Sequence, residues 1–249
     1  MIYCDSAATT PLNENVMIEM NKISSTVFGN PSSIHKFGQE SRAIIERSRL
    51  KIANLLGCDL SEIIFTGCGT ESNNIAMLGL LNKDDHLITT SYEHPAVLKT
   101  AHELELKGVE VTYIKPDQNG IINCNEIKSA IKQNTKLVSV MHVNNELGTE
   151  NSIEEISQIT NDMGVLFHTD AVQSIGKKNI SLRNTKIDLL SLSAHKFYGP
   201  KGIGALYMRN GVNLMPTFFG GGQEKDLRPG TENISYIHGM AVALELDRK

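Results

Sequence analysis

Apolar residues recur along this chain in two alternating rhythms. "SRAIIERSRLKIANLLG" (41–57) spaces them as a helix does and stops on a glycine suited to a C-cap. "EIIFTG" (62–67) is then a short continuous apolar run, the mark of a buried strand, and "TESNNIAMLGLL" (70–81) returns to helical spacing. "DHLITTS" (85–91) predicts a strand. "HPAVLKTAHELELKG" (94–108) predicts a helix, with Pro95 in its first turn and Gly108 at its end. "VEVTYIK" (109–115), "KLVSVMHV" (136–143), "GVLFHTD" (164–170), "IDLLSLS" (187–193) and "IGALYM" (203–208) predict further strands, and "IEEISQITNDMG" (153–164) a helix between two of them. The alternation runs from about residue 14, as parallel β-α-β units do. The chain therefore reads as an α/β domain over 14–249, a mostly parallel central sheet flanked by helices, with an arm over 1–13. No internal repeat or low-complexity linker interrupts it.

Composition narrows the function. Of 249 residues, 40% are apolar, enough for a proper core. The 24 basic and 28 acidic residues leave a net charge of −4, which gives no footprint for nucleic acid or for an acidic membrane. No apolar run reaches the ~18 residues a membrane span needs, and the N-terminus lacks the basic-then-apolar order of a signal peptide. The four cysteines, Cys4, Cys58, Cys68 and Cys124, are scattered without metal-ligand spacing, so we expect reduced thiols, no metal site and a cytoplasmic protein.

Ligands of open α/β sheets sit beyond the carboxyl ends of the strands, so the residues that follow each strand matter most. "GCGTES" (67–72) follows the first strand and opens a helix, where free N–H groups, a hydroxyl and the helix dipole suit a phosphate. It matches neither the dinucleotide fingerprint nor a triphosphate loop ending in GK[ST]. Glu93-His94-Pro95 follows the second strand, Asn144-Asn145-Glu146 the fourth, Thr169-Asp170-Ala171 with Gln173 the fifth, and His195-Lys196 the sixth. Each alone has a plain explanation: a tight turn at the glycines, a turn cap at His94, a helix cap at Asp170, an ordinary loop lysine at Lys196. Together they suit pyridoxal 5′-phosphate. A helix start serves the phosphate, a carboxylate the pyridinium N–H, a histidine the ring face, a glutamine the phenolic oxygen and a lysine the aldehyde.

Eight motifs carry a resemblance that runs nearly end to end: "DSAATTP" (5–11), "GNPSSIHKFG" (29–38), "FTGCGTESNN" (65–74), "YEHPAVL" (92–98), "HVNNELGT" (142–149), "HTDAVQSIGK" (168–177), "SAHKFYGPKGIGALY" (193–207) and "GGGQEKDLRPGTEN" (220–233). On these the chain resembles the NifS/IscS-type cysteine desulfurases, fold-type-I pyridoxal-phosphate enzymes among the class-V aminotransferases. The resemblance implies that Lys196 carries the Schiff base and that Asp170 pairs with the pyridine nitrogen. It has His94 stack on the ring and serve proton transfer, and Asn145 and Gln173 contact the ring substituents and the bound amino acid. Gly69, Thr70, Ser193 and His195 would hold the phosphate, and Thr231 the phosphate of a neighbouring subunit, hence a homodimer with shared active sites. It further implies L-cysteine as substrate, alanine as product, and sulfur passed to an iron–sulfur scaffold or other acceptor protein.

In that family a downstream mobile loop supplies the sulfur-accepting cysteine, a later arginine holds the substrate carboxylate, and a small C-terminal domain covers the arm. The chain as given stops at Lys249, before all three, so the resemblance leaves desulfuration incomplete in these residues. Among the cysteines present, Cys68 and Cys4 read as packing or bystander thiols and Cys58 and Cys124 as structural. The competing reading is a cofactor-binding paralogue or fragment that dimerises and regulates without turning over substrate.

Overall fold

A computed structural model describes residues 2–247. Seven strands form one sheet: β1 (Ile63–Thr66), β2 (His86–Thr90), β3 (Glu110–Ile114), β4 (Thr135–Ser139), β5 (Leu166–Asp170), β6 (Leu189–Ser193) and β7 (Gly204–Met208). Their spatial order is β1-β7-β6-β5-β4-β2-β3, with β7 antiparallel to both neighbours and every other pairing parallel. The mostly parallel sheet matches the expectation, and every predicted strand is present. The reversal at β7 has a local cause. Only residues 194–203 join it to β6, fewer than the dozen or more that a parallel crossover needs.

Period-two alternation buries both faces. Ile63, Phe65, Val138, Leu190 and Tyr207 enter one core; Ile64, Leu137, Leu189 and Leu206 enter the other. The second core is closed by α3 (Gly69–Leu78) and α4 (Pro95–Leu106). The first receives α1 (Glu14–Thr26), α2 (Lys36–Leu56), α5 (Cys124–Ala130), α6 (Ile153–Asp162) and α7 (Ile234–Asp247). α2 ends at Gly57, whose φ of 70° and ψ of 46° are the left-handed cap conformation that glycine adopts without strain. α7 packs against α1 and α2. Polar groups inside the sheet are matched strand to strand: His168 Nδ1 bonds Ser139 Oγ at 2.8 Å and its Nε2 bonds Ser191 Oγ at 3.0 Å. Full burial pushes that imidazole down to about 3, so it stays neutral.

No helix among the described residues is long and apolar enough to cross a membrane. All four cysteines are free thiols. Burial first, and the nearby Glu62 and Asp59 second, push Cys58 up to about 12, which keeps its thiol protonated and inert.

The segment 222–233 is fastened to the sheet by a buried ion pair. Glu224 accepts from Arg49 Nη1 at 2.8 Å and Nη2 at 2.6 Å, and from the Phe65 N–H at 2.8 Å. These bonds hold Glu224, Lys225 and Asp226 in left-handed backbone conformations, with φ of 44°, 60° and 63°. Such conformations cost non-glycine residues about 1–3 kcal/mol each. We expect Glu224→Ala to lower stability by about 3–5 kcal/mol, because it leaves the Arg49 charge buried without a partner. The double variant Arg49→Met/Glu224→Leu should recover most of that loss. Urea unfolding of the three proteins checks it; an additive double variant would contradict the pairing.

Candidate active site

Six strands, all but β7, deliver their carboxyl ends to one rim, and a cavity of about 200 Å³ opens there. Gly69, Thr70, His94, Asn145, Asp170, Gln173, Ser193, His195 and Lys196 all line it. Nine of the ten residues picked out from the sequence therefore converge. The tenth, Thr231, is exposed on the 222–233 segment and does not line the cavity.

The cradle end is built by α3. No side chain caps the helix at Cys68, so its first N–H groups are left for another acceptor. Gly69 is required by crowding. A Cβ there would stand 2.6 Å from Val172 Cγ2, on a β-branched side chain that cannot swing away. Ser193 Oγ, at the end of β6, is buried without a hydrogen-bond partner. A helix start, a bare glycine and an orphaned hydroxyl on one wall fit a phosphate group. Cys68 lines the same wall, half-buried, at the helix start.

The ring end is built around Asp170. The carboxyl is buried; Oδ2 accepts from Asn73 Nδ2 at 2.7 Å and Oδ1 from the Val172 N–H at 3.0 Å. Burial pushes its pKa up, and those two donors together with His94 and Lys196 pull it back. Asp170 caps no α-helix; its carboxyl is spent inside the site. His94 satisfies both readings of its motif. Its Nδ1 accepts from the Ala96 N–H at 3.0 Å and caps α4, which places the ring proton on Nε2 in the neutral form. Its ring still borders the cavity. The asparagine pair divides its labour. Asn144 builds the turn, accepting from the Glu146 and Leu147 N–H groups and donating to the Tyr92 carbonyl, which leaves Asn145 to face the cavity.

Lys196 follows β6 in a single 3₁₀ turn (Ala194–Lys196). Its Nζ donates to the carbonyls of Ala7 at 2.5 Å and Ala8 at 3.0 Å. Burial and then the nearby Lys177 lower its pKa, against the pull of Asp170 and Asp5. Lowering the pKa of a lysine is what turns it into an amine nucleophile. His195, lowered by burial and by Lys196 and Lys201, pairs its Nδ1 with Thr9 Oγ1 at 3.0 Å.

The arm is thus part of the site. Thr10 N–H and Oγ1 both donate to the His195 carbonyl at 2.9 Å, the Tyr198 N–H donates to Thr10 Oγ1 at 2.8 Å, and Gln173 Nε2 donates to the Ala7 carbonyl at 2.8 Å. Within the described residues, 7–13 lie along the 195–198 turn and Gln173. Sequence reasoning also gave no role to Asn73, Met141 or Glu93, the last of which it named at the end of the second strand. Asn73 was legible as the residue one helical turn beyond Thr70 in "GTESNN". The other two have apolar or turn neighbourhoods that gave no signal.

A larger cavity of about 520 Å³ lies between α2 and residues 222–225. Its charged lining holds the Arg49–Glu224 pair together with Arg42, Glu46, Lys225 and Glu232, and none of the candidate strand-end residues.

The class-V aminotransferase family model matches residues 2–248. The chain is 49% identical over 249 residues to the cysteine desulfurase IscS of Dictyoglomus turgidum (strain DSM 6724 / Z-1310), covering 98% of this chain and 63% of that protein. It is 44% identical over 257 residues to the mitosomal cysteine desulfurase of Encephalitozoon cuniculi (strain GB-M1), covering 100% and 60%. Among solved structures it superposes on SspA in complex with cysteine with a TM-score of 0.95 at 44% identity, covering 98% of this chain and 72% of that one. A NifS-like protein gives a TM-score of 0.96 at 41% identity, covering 99% and 69%. The chain spans less than two thirds of the length of the two desulfurases. Sequence, fold and the fit of this pocket to pyridoxal phosphate agree: the chain belongs to the class-V aminotransferase family of pyridoxal-phosphate enzymes.

Proposed function

We propose that this chain is the cofactor-binding domain of a cysteine desulfurase. In this reading L-cysteine is taken to L-alanine, and its sulfur passes to an iron–sulfur scaffold or another acceptor protein. The observation that carries the reading is the convergence of Lys196, Asp170, His94 and the α3 cradle on one cavity. Relatives named as cysteine desulfurases at 43–49% identity support the choice of substrate. Four free thiols support a reducing compartment, the cytoplasm.

When bound, pyridoxal phosphate supplies an aldehyde and an electron-withdrawing ring that stabilises negative charge on the substrate carbon. The chain supplies the groups that would line it. Gly69, Thr70, Ser193 and His195 hold the phosphate. Asp170 keeps a negative charge beside the ring nitrogen and so keeps that nitrogen protonated. His94 presents Nε2–H and the face of its imidazole. Asn145 and Gln173 orient the polar substituents and the amino acid. Lys196 Nζ would be the amine that holds the aldehyde covalently and, when free, the base that holds or moves a proton at the substrate carbon. The arm carbonyls of Ala7 and Ala8, 2.5 and 3.0 Å from Nζ, fix where that amine sits when it is not bonded.

A homodimer is supported by Thr231, which is exposed and outside its own cavity, as a residue serving another subunit's phosphate would be. The segment that carries it shares a cavity wall with Pro31 and Ser32. Beside those residues stand the exposed side chains of Phe28, Ile34 and Phe37, an apolar cluster of the kind that marks an interface.

Purified protein supplied with pyridoxal phosphate should be yellow, and borohydride should fix the cofactor covalently. Lys196→Ala should lose the covalent adduct and keep its far-ultraviolet circular dichroism. Wild-type protein that stays colourless would sink the reading. Light scattering should show a dimer at micromolar concentration. Phe28→Ser/Ile34→Ser should shift it towards monomer, and Thr231→Ala should weaken cofactor retention without changing the oligomeric state. A cofactor-saturated monomer would contradict the shared site.

A further inference from the structure

Two buried carboxyls lie close to this cavity, and only Asp170 has a role so far. Glu93 ends the turn after β2, immediately before His94, and is 4% exposed. Its Oε1 accepts from the Met141 N–H at 2.9 Å and from Thr90 Oγ1 at 2.7 Å, while Oε2 is buried with no partner. Met141 lines the cavity. The next residue, His142, donates its N–H to the Asp170 backbone carbonyl at 3.0 Å. Glu93 therefore grips, through one oxygen, the strand-end segment that grips Asp170.

An ionised carboxylate in that position would leave Oε2 charged, dehydrated and without a donor. A carboxylic acid places its proton on Oε2 and keeps Oε1 as the acceptor the two bonds require. The surroundings separate the two acids. Asp170 has two N–H donors and faces His94 and Lys196. Glu93 has one N–H and one hydroxyl; among the described residues the charge acting on it is Asp170, a like charge, and the neighbouring Tyr92 phenol is neutral. Burial, with Asp170 adding to it, pushes Glu93 up to about 8. A proton shared between neighbouring carboxyls settles where positive charge is absent.

We propose that Glu93 is a positioning residue of this pocket, a neutral carboxylic acid that fixes residues 139–142 against Asp170 and leaves Asp170 as the single negative charge there. For its consequence on cofactor binding this rests on the proposed function; the protonation state does not.

The test uses the full chain with and without pyridoxal phosphate, comparing wild type, Glu93→Gln and Glu93→Leu. Without cofactor, infrared spectra of wild type at pH 7 should show a protonated-carboxyl band that Glu93→Gln lacks and that fades as pH rises through about 8. The folded acid holds its proton between the ordinary 4.5 and about 8, while the unfolded chain does not. Wild type should therefore lose stability relative to Glu93→Gln as pH climbs through that window, with no further divergence above it. With cofactor at pH 7, Glu93→Gln should bind as wild type does, and Glu93→Leu should bind roughly tenfold more weakly, the scale of a lost supporting contact. A missing carboxyl band, parallel stability curves for wild type and Glu93→Gln, or unweakened binding by a folded Glu93→Leu would each overturn the proposal. If wild type shows the band but binds no pyridoxal phosphate, the cofactor reading fails and the neutral acid stands, with its positioning role then judged on the unfolding curves.

Discussion

On the proposed reading Asp170 must stay charged inside the protein, and that demand sets the terms for everything near it. Ionisation in a buried position is affordable only with several donors aimed at it. The fold gathers that support from separate places: the donors are Asn73 from α3 and the Val172 N–H from the turn beyond β5, and an electrostatic pull comes from His94 and Lys196 at the ends of β2 and β6. The parallel sheet makes this possible, because it brings β2, β4, β5 and β6 to one rim with their carboxyl ends adjacent. The order of the sheet also places the divergence between β2 and β4 at that rim, where the chain leaves in opposite directions and a crevice opens.

Much of this was legible beforehand because strand ends are legible. A four- or five-residue apolar run leaves little doubt about its last residue, and the polar residues that follow are the candidates. Lys196, Asp170 and His94 were found that way. Three helices were not. In α7, "ISYIHGMAVALELD" is apolar almost all round, since it is packed between α1 and α2 as well as over the core, so it has no polar face to set a rhythm. α5 is seven residues long, too short for two turns of pattern. α1 is only weakly amphipathic, with Val16 and Met20 its buried positions. The reversal at β7 could have been deduced from the short 194–203 connection. The sequence pattern names strands, whereas connection length decides their direction.

Residues that act through another residue were the hardest to see. Glu93 looks like a surface glutamate in a turn until the backbone of Met141 is shown to be its partner, 48 positions away in sequence. The arm gave a different difficulty. Its motif "DSAATTP" points to a functional segment, but the groups that reach Lys196 are the backbone carbonyls of Ala7 and Ala8, which every residue type carries. Side-chain identity there says what fits, and nothing of what bonds.

The two ends of the pocket also differ in how they respond to pH. The cradle wall at α3 is made of backbone N–H groups and hydroxyls, whose dipoles do not titrate. The ring wall is made of Asp170, His94 and Lys196, with Glu93 buried behind it, every one of them ionisable, and burial raises the acids Asp170 and Glu93 and lowers the base Lys196. Those shifts bring acid and base towards each other, so small changes in solvent access move protons among them. On the proposed reading this arrangement suits the work. The phosphate end holds the cofactor mostly through dipoles that do not titrate, His195 being the exception, and the ring end must pass protons while one negative charge stays in place. The neutral form of Glu93 reconciles these demands: it supplies the geometry of a carboxylate to Met141 without adding a second charge beside Asp170.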